Sequence, residues 1–357
     1  MGLLDKMGVL LIGLGLVMYA VSAGADFGGG LWTAAASGPR AGRQREALFQ
    51  AIGHVWETNH VWLVYIIVVL FTCFPRGFEA LSISLLYPLV FSLVGINFRG
   101  AAFVFRHFGR HKDARLPGVE AVFSIASVLT PFFMGMAVSS IAGGRIRVAN
   151  ALIAGGGPSN LILSGPIAPQ WAASDWITPF TLTGGLIGLS ICAYITPIYM
   201  TARTEGGLQE DFRRRAIAGA LALGFLTSIE VVVSRFDARL FFEGFVRPLP
   251  ILFAGLAVSC GCFTLALLLR RIYSAARWLA DFTVAFTIAG FAAALYPYML
   301  IGQLSFAQAA AGRATLLAVM ITLPVGAALL VPSLFLLYRT FALNPFSGRP
   351  EKEIFPS

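Results

Sequence analysis

Nine apolar runs, each long enough to cross a lipid bilayer as a helix, recur along the chain. They lie near 7–33, 47–74, 77–98, 117–142, 176–200, 216–234, 247–269, 279–301 and 315–340. A bilayer core of about 30 Å takes roughly 20 helical residues. Membrane strands would alternate apolar and polar residues, and these runs do not, so helices are the only option that satisfies the backbone in lipid. Only 12% of the 357 residues are charged and 57% are hydrophobic, too little polar surface to coat a water-soluble globule of this size. The reading is an all-α polytopic membrane protein of nine helices, organised as a single transmembrane domain over residues 1–357. The first run follows Lys6 as a signal peptide would, but it continues into Asp26 and a glycine cluster, and is read as a retained first helix.

The net charge of +9 does not mark a nucleic-acid partner. The basic residues cluster between apolar runs, as orientation signals do. Alternate loops and the C-terminal tail hold 18 of the 26 Lys and Arg, in groups such as Arg40/Arg43/Arg45, Arg106/Arg110/Lys112/Arg115, Arg203/Arg213/Arg214/Arg215 and Arg270/Arg271/Arg277. The opposite side, with the N-terminus, holds 8. That split predicts an N-terminus outside and a C-terminus in the cytoplasm. The Gly/Pro-rich stretch 143–175 then lies on the outer face. Cys73, Cys192, Cys260 and Cys262 fall in or near apolar runs, and Cys-x-Cys is poor metal-ligand spacing on a helix, so they read as ordinary thiols.

Ionisable residues at membrane depth carry the functional information, because each needs a partner, a water cavity or a task. Asp26 lies in "SAGADFGGGLW"; the glycines after it permit close helix approach and also weaken the helix, so this end of it is expected to unwind. Glu57 lies about ten residues into the second run. His54 and His60 stand three positions either side of it on one helical face, and Trp56 and Asn59 define another. Arg99 either snorkels to the interface or pairs with Asp26 or Glu57. Glu79 and Asp281 are expected to be solvated near helix ends, and Glu230 to lie within reach of Arg235. Glu57-x-x-His60 has the spacing of a bundle metal-ligand pair, but no second copy exists, and His107 and His111 sit among cations, so no metal is expected.

"GADFGGGLW", "WETNHVWL", "FRGAAFVFRH", "ARTEGGL" and "ALYPYML", in this order and spacing, resemble subunit II of the cytochrome bd-type terminal oxidases over nearly the whole chain. The resemblance implies two four-helix bundles plus one helix. It implies a chain without haem of its own, paired as a heterodimer with a homologous-fold subunit I that ligates two b-type haems and a haem d or its substitute. Such a complex lies in the bacterial inner membrane, oxidises quinol and reduces dioxygen to water, taking protons from the cytoplasm without pumping. Subunit II helps form a hydrophilic path, holds a structural quinone in some members, and in some complexes meets small accessory subunits. Carried over by motif, Asp26, Trp56, Glu57 and Arg99 match family positions; with Asn59 and His60 they form the expected proton-path or quinone-adjacent set. The acid at 57 is often Asp in the family. Where many members read Phe-Glu-Phe-Arg, this chain reads Phe103-Val104-Phe105-Arg106. From another class, a secondary transporter would also set acids near the midplane and break its helices with Gly and Pro.

Overall fold

A computed structural model describes residues 2–110, 117–149, 168–170 and 175–342. Side chains at 52–58, 107–110, 117, 148–149, 168–170, 330–331, 334–335 and 337–342 lie outside the description. The helices are α1 (Leu3–Ala34), α2 (Ala41–Cys73), α3 (Pro75–Ser84), α4 (Leu86–Arg110), α5 (Pro117–Ala142), α6 (Pro179–Thr201), α7 (Gly206–Asp237), α8 (Arg239–Phe245), α9 (Pro248–Leu269), α10 (Tyr273–Leu295), α11 (Phe306–Ala309) and α12 (Arg313–Ala342). Two short antiparallel pairs interrupt them: β1 (Arg147–Ala149) with β2 (Ala168–Gln170), and β3 (Tyr298–Leu300) with β4 (Leu304–Ser305).

Among the described residues, α1, α4, α5, α6, α7, α9 and α10 are long and apolar enough to cross a membrane, seven in all, and shorter apolar stretches occupy Asn59–Cys73 and Arg313–Leu329. Leu10, Phe225, Val258 and Phe263 are each more than 60% exposed on the outward faces. Side chains of this kind on every long helix need hydrocarbon around them rather than water, so this is an integral membrane protein. Helix α1 packs against α2, α5 and α6; α4 lies on α5, α7 on α6, and α9 on α10. Helix α12 rests beside α1 and α2.

Three boundaries depart from the sequence reading. The third run, 77–98, is not one helix. Residues 75–84 form α3, which starts on Pro75 and is buried through Gly77, Ala80, Leu81 and Ser84, and the chain bends at Leu85 before α4. The eighth run, 279–301, ends as a helix at Leu295; residues 298–300 are a strand of the β3–β4 hairpin, whose Ile301 N–H donates to Ile141 O. Helix α8 was hidden between two runs. It is too short to span and packs Phe241 on Phe180 and Phe291.

The glycine cluster does not unwind α1. The helix runs unbroken from Leu3 to Ala34, and Gly28, Gly29 and Gly30 are all buried. A Cβ at Gly28 would stand 2.2 Å from Cys192 O, and one at Gly30 would stand 2.0 Å from Ser127 Oγ. The glycines are therefore contact points for α6 and α5, and close packing outweighs their poor helix propensity. A proline inside α6 is accommodated similarly. Pro197 has no N–H for Ala193 O, and the indole Nε1–H of Trp32 donates to that carbonyl at 3.2 Å.

Candidate functional site

The thinned face of α1 lets a charge cluster form inside the protein. Asp26 is fully buried and Arg99, from the middle of α4, is 2% exposed. Arg99 Nη1 donates to Asp26 Oδ2 at 2.8 Å and Nη2 donates to Oδ1 at 2.6 Å. Nη2 also donates to the main-chain oxygen of Asp26 at 2.8 Å, and Nε to Ser127 Oγ on α5 at 2.9 Å. Asn59 Nδ2, from α2, donates to Asp26 Oδ2 at 3.2 Å. Four helices thus meet at one ion pair, α1, α2 and α4 at the carboxylate and α5 at the guanidinium. Gly30 is what allows Ser127 to reach in, and Gly95 lets Thr130 of α5 close against α4.

The guanidinium is also held by rings. Phe27 lies 4.9 Å and Phe123 lies 5.0 Å from its central carbon. A planar, delocalised cation tolerates such walls better than an ammonium would, and its fork matches the carboxylate bidentately. The pair is formally neutral, and it removes two buried charges that would each cost several kcal/mol alone. One polar atom is left over. Among the described residues Asn59 Oδ1 is buried and meets no donor. A buried acceptor without a partner costs about 1–3 kcal/mol.

Of the expected set, the structure brings together Asp26, Asn59 and Arg99. Arg99 does not snorkel; its partner is Asp26. His60 is half-buried on α2. Trp56 and Glu57, with His54, fall in helix α2, but their side chains lie outside the described residues. His107 and His111 lie outside them too. Among the described residues no three His, Cys, Asp or Glu side chains gather as metal ligands. Ser127, Phe27 and Phe123 were missed by the sequence reading. A serine in an apolar run normally bonds its own helix, and Ser127 does so as well, donating to Phe123 O at 2.7 Å; nothing local distinguishes it.

The remaining acids depart from expectation. Glu230 does not pair with Arg235. It is 7% exposed, faces inward, and accepts from Ser139 Oγ at 3.4 Å. Ser139 reaches it by passing Gly184, where a Cβ would overlap the hydroxyl. Asp281 is half-buried rather than freely solvated, and Tyr199 OH donates to its Oδ1 at 2.8 Å. Glu79 is half-buried on α3. Of the cysteines, Cys73 and Cys192 are buried, whereas Cys262 is exposed on the outward face of α9. Arg106, in the segment where Val104 replaces the common family glutamate, stacks on Phe49 at 4.4 Å and meets Glu120 of α5 at 4.0 Å. An acid from the neighbouring helix therefore stands beside this segment.

A family model for cytochrome bd terminal oxidase subunit II matches residues 4–341. The chain is 26% identical over 174 residues to the cytochrome bd ubiquinol oxidase subunit 2 of Bacillus subtilis, covering 48% of this chain and 46% of that one. It is 25% identical over 214 residues to the cytochrome bd-I ubiquinol oxidase subunit 2 of Escherichia coli K12, covering 60% and 52%. These alignments span about half the length of the curated relatives. In fold the chain is similar to a chain of the bd oxidase of Geobacillus thermodenitrificans, with a TM-score of 0.77 at 19% identity, covering 96% of this chain and all of that one. With a family match that runs from the first helix to the last, the chain belongs to the cytochrome bd terminal oxidase subunit II family.

Proposed function

We propose that the chain is the second, non-haem subunit of a bd-type respiratory oxidase in the bacterial inner membrane. It pairs with a haem-bearing subunit I, and the complex oxidises quinol and reduces dioxygen to water. The observation that carries a functional role for this chain, beyond family membership, is the buried Asp26–Arg99 pair with the orphaned Asn59 Oδ1 beside it. In this reading the haems lie on the partner, and they supply the electron transfer and the oxygen chemistry. No step of that chemistry is assigned to residues here.

What this chain contributes follows from its own geometry. Asp26 and Arg99 lock one another and fix the mutual rotation of α1 and α4. Asn59 is pinned through Nδ2, so its oxygen is held at a defined place and direction. It can accept from a water molecule or from a quinol hydroxyl. Glu57, two residues earlier in the sequence, is the group proposed to take and give the proton, with His60 and Trp56 near it along α2. The transporter reading, motivated by intramembrane acids and by helices broken at Gly and Pro, loses the second of these at α1, which is unbroken through its glycines.

The test is to purify the complex through a tag on this chain and record a reduced-minus-oxidised spectrum with quinol-driven oxygen uptake. Haem bands and uptake that co-purify are expected; their absence from an intact, folded preparation would sink the assignment. Orientation is tested separately. The 18 to 8 basic asymmetry predicts that Arg45 and Arg115 lie on the cytoplasmic side, so reporters fused after either residue should be active only as cytoplasmic reporters. A periplasmic signal from either would overturn the nine-helix, N-out arrangement.

A further inference from the structure

The basic face of the protein carries acids at few places, and they serve particular arginines. Arg40 forms a bidentate pair with Asp211, its Nη2 at 2.6 Å. Arg213, Arg214 and Arg271 share Glu210 at 2.7, 3.5 and 3.5 Å. Arg215 donates to Ala35 O and to Gln44 Oε1. Among the described residues four arginines of this face, Arg43, Arg203, Arg270 and Arg277, stand apart from that network, and two of them flank one tyrosine: Arg203 just past the end of α6 and Arg277 one turn into α10. Among the described residues neither side chain has a protein acceptor or an ion-pair partner.

Tyr199 lies between them. The guanidinium of Arg277 sits 5.0 Å from the Tyr199 ring and 5.3 Å from the Trp278 ring. Its Nε is sealed from water without a partner, while neither Nη is sealed. The Tyr199 hydroxyl is committed to Asp281, so that carboxylate is engaged one turn further along α10. Arg203 and Tyr199 line a cavity of about 20 Å³ with Thr196, Met200, Ala25 and Leu48. It holds no more than a water, so a larger ligand must lie outside the helices. Outside, Trp278 is 61% exposed and Phe282, one turn deeper, is 51% exposed, forming an aromatic rail that leads from Arg277 into the membrane.

An arginine retained only as an orientation signal would be solvated through all its donors. Arg277 is instead stacked between two rings with open Nη groups, and the acid nearest to it along α10, Asp281, is hydrogen-bonded to Tyr199 and forms no direct ion pair with it. We propose that Arg277 and Trp278, with Arg203 as the second cation, bind the phosphodiester of an anionic phospholipid, whose acyl chain lies along Trp278 and Phe282. Planar guanidinium and phosphate match in geometry, and basic recesses between membrane helices favour such headgroups.

The test uses the assembled complex, placed in nanodiscs of phosphatidylglycerol and phosphatidylcholine and then taken into mild detergent for counting of retained lipid by native mass spectrometry. The wild type should retain phosphatidylglycerol in preference to phosphatidylcholine, and retention should fall about fivefold for each of Arg203→Gln and Arg277→Gln. Should Arg277→Gln fail to assemble, the exposed changes Arg203→Gln and Trp278→Ala read the same loss. Equal retention of the two lipids by the wild type, or unchanged phosphatidylglycerol in these variants, would overturn the proposal. A third arm adds inorganic phosphate to delipidated complex. Protection against heat equal to that given by phosphatidylglycerol would assign the site to free phosphate and reject the lipid.

Discussion

Arg99→Gln is expected to lower the stability of the folded subunit by about 3–5 kcal/mol, because it leaves the Asp26 carboxylate buried without its cation. The variant loses four donations at once, two to the Asp26 carboxylate, one to its main-chain oxygen and one to Ser127 Oγ. Asp26→Asn should cost a similar amount through the orphaned guanidinium. The double variant Asp26→Asn/Arg99→Gln removes both charges, so its loss should fall short of the sum of the singles by about 0.5–3 kcal/mol. Arg99→Lys should lie between, since an ammonium keeps the charge but cannot span the carboxylate, the carbonyl and the serine together. The thermal midpoint and yield of the assembled complex measure each case. A single Arg99→Gln variant as stable as its parent, or strict additivity in the double, would show that the pair does not hold these helices.

The sequence made the apolar runs plain, since lipid demands about 20 consecutive apolar residues whatever the neighbours. It did not reveal where helices stop inside a run. Residues 77–98 read as one run with Glu79 as the sole charge, yet the chain turns at Leu85, because α3 lies against Met299 and Ala309 near the β3–β4 hairpin. Hydropathy has no term for such packing. The site was half legible. Asp26 and Arg99 declared themselves as charges in apolar surroundings, and their sequence separation left Glu57 an equal candidate as partner. The decision between the two rests on helix rotation, which Gly28 and Gly30 set through contacts with α6 and α5. Glycines that looked like weak points are points of close helix contact. Glu230 was misread for the same reason. Its neighbour in sequence is Arg235, but Ser139 lies across Gly184, on a helix more than ninety residues away in the chain.

Glu57→Gln is expected to slow oxygen uptake per haem by about tenfold or more, with assembly and haem content unchanged. The argument begins with the sequence. Glu57 is an acid about ten residues inside an apolar run, a place where a carboxylate is costly unless it has a partner, water or a task. The structure adds that Arg99, the buried arginine among the described residues, is committed to Asp26 through both of its Nη nitrogens and to Ser127 through Nε. Arg99 therefore has no bidentate face left for Glu57, and a fixed ion pair is not the role proposed for this acid. Asn59, on the same helix, supplies an open acceptor beside the closed pair. Glutamine keeps the size and hydrogen-bonding groups of glutamate but cannot ionise, so it isolates proton transfer from packing. Glu57→Asp keeps the acid with a shorter reach and restores the commoner family residue, so it should retain much of the activity. A purely structural role reverses this order: glutamine is then tolerated and aspartate disturbs the packing. Oxygen uptake per haem, measured for both variants at several pH values, separates the two roles. Wild-type turnover in Glu57→Gln across that range would end the proton-handling assignment and leave Asp26, Arg99 and Asn59 as a structural anchor alone.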